Sequence, residues 1–266
     1  MSSSFLSVDL GNTRCKLCVW SIAADGSAAL VTRADFASAD TLPREVADWL
    51  GAQPRIERAA LCAVAPPALE EALAAALDAV FGARFERRPA TGLIIECREP
   101  DKVGRDRLFA ARGALERIGR SALVVDAGTA LTVDALRVDG DASGHFLGGA
   151  IAPGPALLAR ALAHGGARLF AVDPQPDAHA LGRDTREALQ AGIVIGFRGA
   201  ARELCESVAR EARLANASVL LTGGARRFLS TPGVFGTRTV IEDGELVHHG
   251  LRAACSPGLG RVERVP

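Results

Sequence analysis

The sequence predicts an α/β chain of two duplicated halves, each a mixed sheet flanked by helices. A short apolar strand that runs into Asp-x-Gly-[Asn/Thr] and returns as an alternating strand occurs twice, at Phe5–Trp20 and Ala122–Leu136. The copies stand nearly half a chain apart, a period that fits two related domains rather than a solenoid of short repeats. Helical stripes fill the stretches between them. At 266 residues, 48% of them hydrophobic, the chain has material for two cores and none of the character of a disordered one.

The elements follow in order. Phe5–Val8 reads as a buried strand, Asp9-Leu10-Gly11-Asn12-Thr13 as a turn, and Arg14–Trp20 as the returning arm with Cys15, Leu17 and Val19 on one face. Pro66–Phe81 carries Leu69, Leu73, Leu77 and Val80 at helical spacing, with Pro67 suited to the first turn. Leu108, Ala111, Leu115 and Ile118 form a second stripe, which puts Asp106 in or just before the first turn of that helix. The second copy comprises Ala122–Val125, the turn Asp126-Ala127-Gly128-Thr129, and Ala130–Leu136. Asp184–Arg213 is helical, with a break or bend expected around Gly192, Gly196 and Gly199. Val219–Leu221 is a short buried strand entering Thr222-Gly223-Gly224. The boundary falls near Gly119, giving halves 1–118 and 119–266, expected to pack closely around a shared cleft.

Several function classes drop out on composition. Lys+Arg and Asp+Glu both total 31, so the chain lacks the basic excess of a general nucleic-acid or anionic-membrane binder. The start, MSSSFLSVDL, has no basic n-region, and no apolar run approaches the roughly 20 residues that span a bilayer. A soluble, cytoplasmic chain is expected. Six irregularly spaced cysteines do not make a secreted disulfide framework. Cys15 and Cys18 form the one C-x-x-C, but on a strand they point to opposite faces and neither chelate nor bridge easily. His248 and His249 lie in a polar C-terminal stretch and read as a solvated face.

The two turns carry the chemistry. Glycine in a tight hairpin lets backbone N–H groups approach an anion, and Asn12, Thr13 and Thr129 add groups suited to phosphate oxygens. The opening aspartates, Asp9 and Asp126, repel phosphate but can hold a cation that binds it. A lone turn of this kind would be an ordinary Asx hairpin. The second copy, and Thr222-Gly223-Gly224 after a strand, turn the pattern into the phosphate clamp of a two-domain ATP-binding fold. The P-loop, the G-x-G-x-x-G dinucleotide turn, the kinase H-R-D loop and the G-x-S-x-G elbow are all absent from the sequence.

Five motifs stand in one order: Asp9–Thr13, Gly104-Arg105-Asp106-Arg107, Asp126–Thr129, Gly148–Gly154 and Thr222–Gly224. The ordered set resembles that of the type III pantothenate kinases, of the actin-like, sugar-kinase-like superfamily, from about Leu6 to about Gly250. The resemblance implies two actin-like (ribonuclease H-like) domains with ATP in the cleft between them, and phosphorylation of pantothenate in the first step toward coenzyme A. Asp9, Leu10, Gly11, Asn12, Thr13, Arg14, Cys15 and Lys16 look like the first phosphate-binding segment, and Thr129, Gly223 and Gly224 like further ATP contacts. Asp106 looks like the base that receives the substrate hydroxyl proton, within a pantothenate-contacting loop of Gly104, Arg105, Asp106 and Arg107. Asp126 is similar to a monovalent-cation ligand for K⁺ or NH₄⁺, and Asp9 is expected near Mg²⁺ through water. Thr185 matches a threonine that contacts pantothenate beside the interface of a homodimer. Arg105, Arg107 and the helix N-terminus would all lower the pKa of Asp106. One position departs from the family pattern: Cys97 stands three residues before Pro100, where the resemblance implies a tyrosine of the pantothenate pocket, which makes Cys97 a candidate substrate-binding residue in a chain with no tyrosine. Two rivals share the fold, a kinase for another small hydroxylated substrate and a non-catalytic accessory factor in transcription.

Overall fold

Leu6, Val8 and Leu10 alternate along the first strand and commit one of its faces to a core. The computed structural model describes residues 3–255. In it β1 (Ser3–Leu10), β2 (Arg14–Ile22) and β3 (Ala28–Ala37) form an antiparallel meander. After α1 (Leu42–Gly51), β4 (Arg58–Ala63) pairs parallel to the free side of β1. Helix α2 (Pro67–Phe81) and the short β5 (Phe85–Glu86) complete a sheet of order β3-β2-β1-β4-β5. Pro67 opens α2 as its composition suggests, but Phe81 rather than Val80 supplies the last buried side chain, and Val80 stays exposed.

The second sheet repeats the first. After β6 (Ile94–Ile95) and α3 (Arg105–Ile118), the strands β7 (Ala122–Ala127), β8 (Ala130–Val138) and β9 (Gly144–Pro153) form another meander. Helices α4 (Pro155–Gly165) and α5 (Thr185–Glu211) lead to β10 (Ser218–Thr222), parallel to β7, then β11 (Val240–Glu242) and α6 (Leu246–Ala254). The order β11-β10-β7-β8-β9 matches β5-β4-β1-β2-β3, with β6 added beyond β9. Even the register irregularities correspond, between Val19 and Trp20 on β2 and between Ala135 and Leu136 on β8. The duplication read from two turns extends through whole sheets.

The described residues divide into two units, 3–94, 99–118 and 246–255 against 95–98 and 119–245. Helix α6 therefore belongs with the first unit, whereas the simple two-half reading puts it with the second. The reason is packing. A Cβ at Gly113 of α3 would overlap the Leu246 carbonyl, and one at Gly250 of α6 would overlap that of Phe109, so the two backbones meet through glycine.

This packing also corrects the reading of His248 and His249 as a solvated face. His248 is 1% exposed, with Nδ1 2.9 Å from Ser7 Oγ, which also accepts a 2.8 Å bond from Trp20 Nε1. The His249 ring lies 4.9 Å from that of Trp20. Helix α5 differs from expectation as well: it runs unbroken for 27 residues. Gly192, Gly196 and Gly199 sit where an added Cβ would meet nothing, while Ile193, Val194, Phe197, Ala201 and Cys205 bury the other side. That burial outweighs a propensity cost of about 1 kcal/mol for each glycine.

Candidate active site

In the first unit, Asp9 is the penultimate residue of β1 rather than part of the turn, directly opposite Lys16 on β2 and Cys62 on β4. The strand stops because Gly11 N–H turns back to the Arg14 carbonyl at 2.9 Å. Asn12 and Thr13 stand exposed at the tip. Arg14 is held by Asp35, Nε to Oδ1 at 2.7 Å, and the Cys15 thiol is buried in the core, so only its backbone can serve a ligand.

Asp106 opens α3 and accepts the Arg107 backbone N–H at 2.8 Å, at the positive end of the helix. Gly104 is needed beside it, since a Cβ there would lie 2.6 Å from Asp106 Oδ1. The carboxyl departs from expectation. Burial pushes its pKa above the ordinary 3.8, overriding the Arg107 backbone bond and charge that pull it down. Arg105 contributes little to that pull, because its guanidinium turns to the Pro89 carbonyl and lies over the Phe109 ring, 5.0 Å from the centroid.

Cys62 ties the two acids together. It is fully buried, and after desolvation the negative charges of Asp9 and then Asp106 push its thiol pKa further up. That thiol is a residue the sequence reading did not single out. Its signal was available in register: a buried β4 cysteine beside the aspartate of β1.

In the second unit, Asp126 stands opposite Thr132 on β8 and Thr222 on β10. Gly223 follows with φ +91°, and a Cβ there would overlap Asp126 Oδ1 and the Ala127 carbonyl. The neighbouring turn is equally close-built. Gly128 N–H reaches the Ala130 carbonyl at 2.8 Å, Ala225 N–H the Ala127 carbonyl at 2.7 Å, and Gly154 N–H the Thr129 carbonyl at 3.0 Å. A Cβ at Gly154 would overlap the Gly128 carbonyl. Thr129 and Gly224 are exposed at the edge of this cradle. Gly148–Gly154 runs along β9 to the N-cap of α4.

Thr185 is the exposed first residue of α5, whose N-cap Asp184 accepts the Glu187 N–H at 2.8 Å. Cys97 is partly exposed, with its Sγ 3.6 Å from the Cβ position of Gly148. All six cysteines remain thiols, and Cys15 and Cys18 are both buried. Among the described residues no helix is long and apolar enough to cross a membrane.

Comparison with known proteins identifies the relatives. A family model described as type III pantothenate kinase matches residues 5–207. A type III pantothenate kinase of Thermomicrobium roseum is 38% identical over 163 residues, covering 61% of this chain and 60% of that protein. One of Anaeromyxobacter dehalogenans is 32% identical over 258 residues, covering 93% of this chain and 96% of that one. Among solved structures, a conserved Campylobacter jejuni protein named for the Baf family of transcriptional activators aligns with a TM-score of 0.53 over 94% of this chain and 96% of its own. At 21% identity that likeness concerns the fold alone. The fold is of the actin-like, sugar-kinase-like class.

Proposed function

Because this chain belongs to the type III pantothenate kinase family, we propose that it transfers the γ-phosphoryl group of ATP to the primary hydroxyl of pantothenate, giving 4′-phosphopantothenate and ADP. The observation that carries the reading is Asp106, an acid in the first turn of α3 that accepts the Arg107 backbone N–H at 2.8 Å and whose pKa desolvation raises.

Asp106 receives the hydroxyl proton as that oxygen bonds to the γ-phosphorus and the bond to the ADP oxygen breaks. Phosphoryl transfer has a loose transition state, so positioning and charge stabilisation carry most of the catalysis and the proton can move late. The raised pKa of Asp106 makes it a better proton acceptor than an ordinary carboxylate. The backbone of Leu10–Thr13 and Lys16 are assigned to phosphate, and Thr129, Gly223 and Gly224 to ATP. Arg107 and Thr185 are assigned to pantothenate.

As a kinase of this family, the chain takes ATP with a divalent metal, which offsets phosphate charge when bound. Asp9 fits Mg²⁺, a hard cation that takes oxygen ligands and retains its waters. Asp126 fits a monovalent cation, K⁺ or NH₄⁺. Its carboxylate is fixed beside Gly223 in a cradle of backbone carbonyls that a side chain would fill, the oxygen-rich surroundings such a cation takes. We also assign a homodimer. The α5 face bearing Gly192, Gly196 and Gly199, with exposed Ile195 beside it, leaves room for a second helix to approach closely.

ADP release measured against a panel of small alcohols tests the function. Release with pantothenate supports it. Release with another alcohol alone moves the reading to a different kinase, and release with none moves it to a non-catalytic role.

A further inference from the structure

Residues 95–98 belong to the second unit although the chain on both sides of them belongs to the first. Strand pairing accounts for part of this attachment: β6 lies beside β9, and Glu96 N–H donates to the Phe146 carbonyl at 2.9 Å. Side chains supply the rest. Glu96 Oε1 accepts from His145 Nδ1 at 2.7 Å and from Arg137 Nη2 at 2.8 Å. Arg137 Nε donates onward to Asp139 Oδ1 at 3.0 Å, and His145 Nε2 lies 3.0 Å from Asp139 Oδ2 and 3.1 Å from Ser143 Oγ.

Arg137 and His145 are partners in the β8–β9 register, so both donors reach the same carboxylate. Burial alone would push the Glu96 carboxyl up, yet the bonds from His145 and Arg137 hold it below the usual range. An isolated surface pair contributes little, but here four groups brace one another and the His145 side chain is only 12% exposed.

The residue after Glu96 is Cys97. The other five cysteines are buried, and Cys97 is the partly exposed one. Its sulfur rests against Gly148, whose φ of +104° few side chains could adopt. Strand β9 therefore provides both the anchor for Glu96, through His145, and the seat for Cys97, through Gly148.

We propose that Glu96, His145, Arg137 and Asp139 form a clip that seats Cys97, making His145 and Arg137 positioning residues for the hydroxylated acid substrate. The substrate half rests on the reading above, in which Cys97 stands at the position of a pantothenate-contacting tyrosine.

The test uses the full chain and the variants His145→Ala, His145→Asn, Arg137→Met and Cys97→Ala. An aromatic disulfide reagent is attacked by the Cys97 thiolate, forms a mixed disulfide and releases one equivalent of coloured aryl thiolate. Its rate reports the seat without any substrate. Opening the clip in His145→Ala and Arg137→Met is expected to speed this reaction about tenfold, with still one thiol reacting. Pantothenate KM should rise about three- to tenfold, the worth of one lost polar contact, while kcat and the ATP KM stay within about twofold. His145→Asn, which keeps a donor toward Glu96, should recover most of both effects.

Unchanged labelling in His145→Ala and Arg137→Met overturns the clip. So does reaction of several thiols, which means general loosening rather than a released segment. If Cys97→Ala leaves the pantothenate KM unmoved, the substrate half is overturned through its premise, and labelling still decides the seat. If Cys97→Ala shifts KM but the clip variants do not, the clip is overturned as a positioning device.

Discussion

The Asp126 carboxylate occupies the space beside Gly223 that any side chain there would need. The two residues sit on adjacent parallel strand ends, and the φ of +91° at Gly223 lets the chain turn away without closing the gap. An acid is thereby fixed against a glycine turn.

Gly223→Ala is expected to lose nucleotide affinity while the rest of the fold persists. The methyl group meets backbone at Ala127, which cannot yield as a flexible side chain would, and the positive φ costs roughly 1–2 kcal/mol. Calorimetric titration with Mg·ATP should show at least about a tenfold weaker Kd, the effect of about 1.4 kcal/mol. Wild-type affinity in the variant would remove the cradle from nucleotide binding.

The cation assigned to Asp126 gives a second expectation. Activity with Mg·ATP should drop sharply when Na⁺ or a bulky organic cation replaces K⁺. Asp126→Asn should be slow in all three and indifferent to the exchange, since the charge that selects the cation is gone. Steady-state rates at constant ionic strength check both.

Asp106→Asn should lower kcat by about 10²–10⁴-fold, the usual contribution of a positioned base, with ATP binding retained. It should also raise the melting temperature at pH 7. Burial raises the folded pKa of Asp106, so between the ordinary 3.8 and that raised value the folded state holds more proton than the unfolded. Stability therefore falls as pH rises through this window, and the asparagine escapes the loss. The gain should vanish below the ordinary carboxylate range. A variant no more stable than wild type at pH 7 contradicts the burial of the charge.

The same shift governs the rate. Asp106 accepts a proton only when ionised, so kcat should fall on acidification, with its midpoint above 3.8. The residual rate of Asp106→Asn should show no such limb.

Much of this was legible because hairpin chemistry is local. Asp9, Gly11, Asp126 and Gly128 announce their turns within four residues, and their repetition announces the duplicated sheets. Helix α6 was obscured because its buried groups include His248 and Arg252, polar types whose partners, Ser7 and Glu116, lie far away in sequence. The glycines of α5 suggested a bend because propensity is read per residue, whereas the packing of Phe197 and its neighbours acts on the whole helix. Asp106 shows the same limit: its helix end and adjacent arginines are visible in the sequence, and its desolvation is not.

Gly113→Ala and Gly250→Ala probe the joint between α3 and α6. Each methyl would enter the opposite backbone, so the helices must separate. Overpacking of this kind costs typically 1–3 kcal/mol, and denaturant titration should show it as a lower midpoint. Unaltered stability would mean that the two helices do not meet through these glycines.

Helix α6, which follows the second unit in sequence, finishes the first unit. A nascent chain emerging in order completes residues 119–245 while β1 still lacks the cover of His248 and its helix. The second unit can therefore fold during synthesis, whereas the first must wait with Ser7 and Trp20 unclosed. Ribosome stalling ahead of Leu246 would leave the second unit finished and the β1 sheet open, a state whose exposed apolar surface calls for a chaperone.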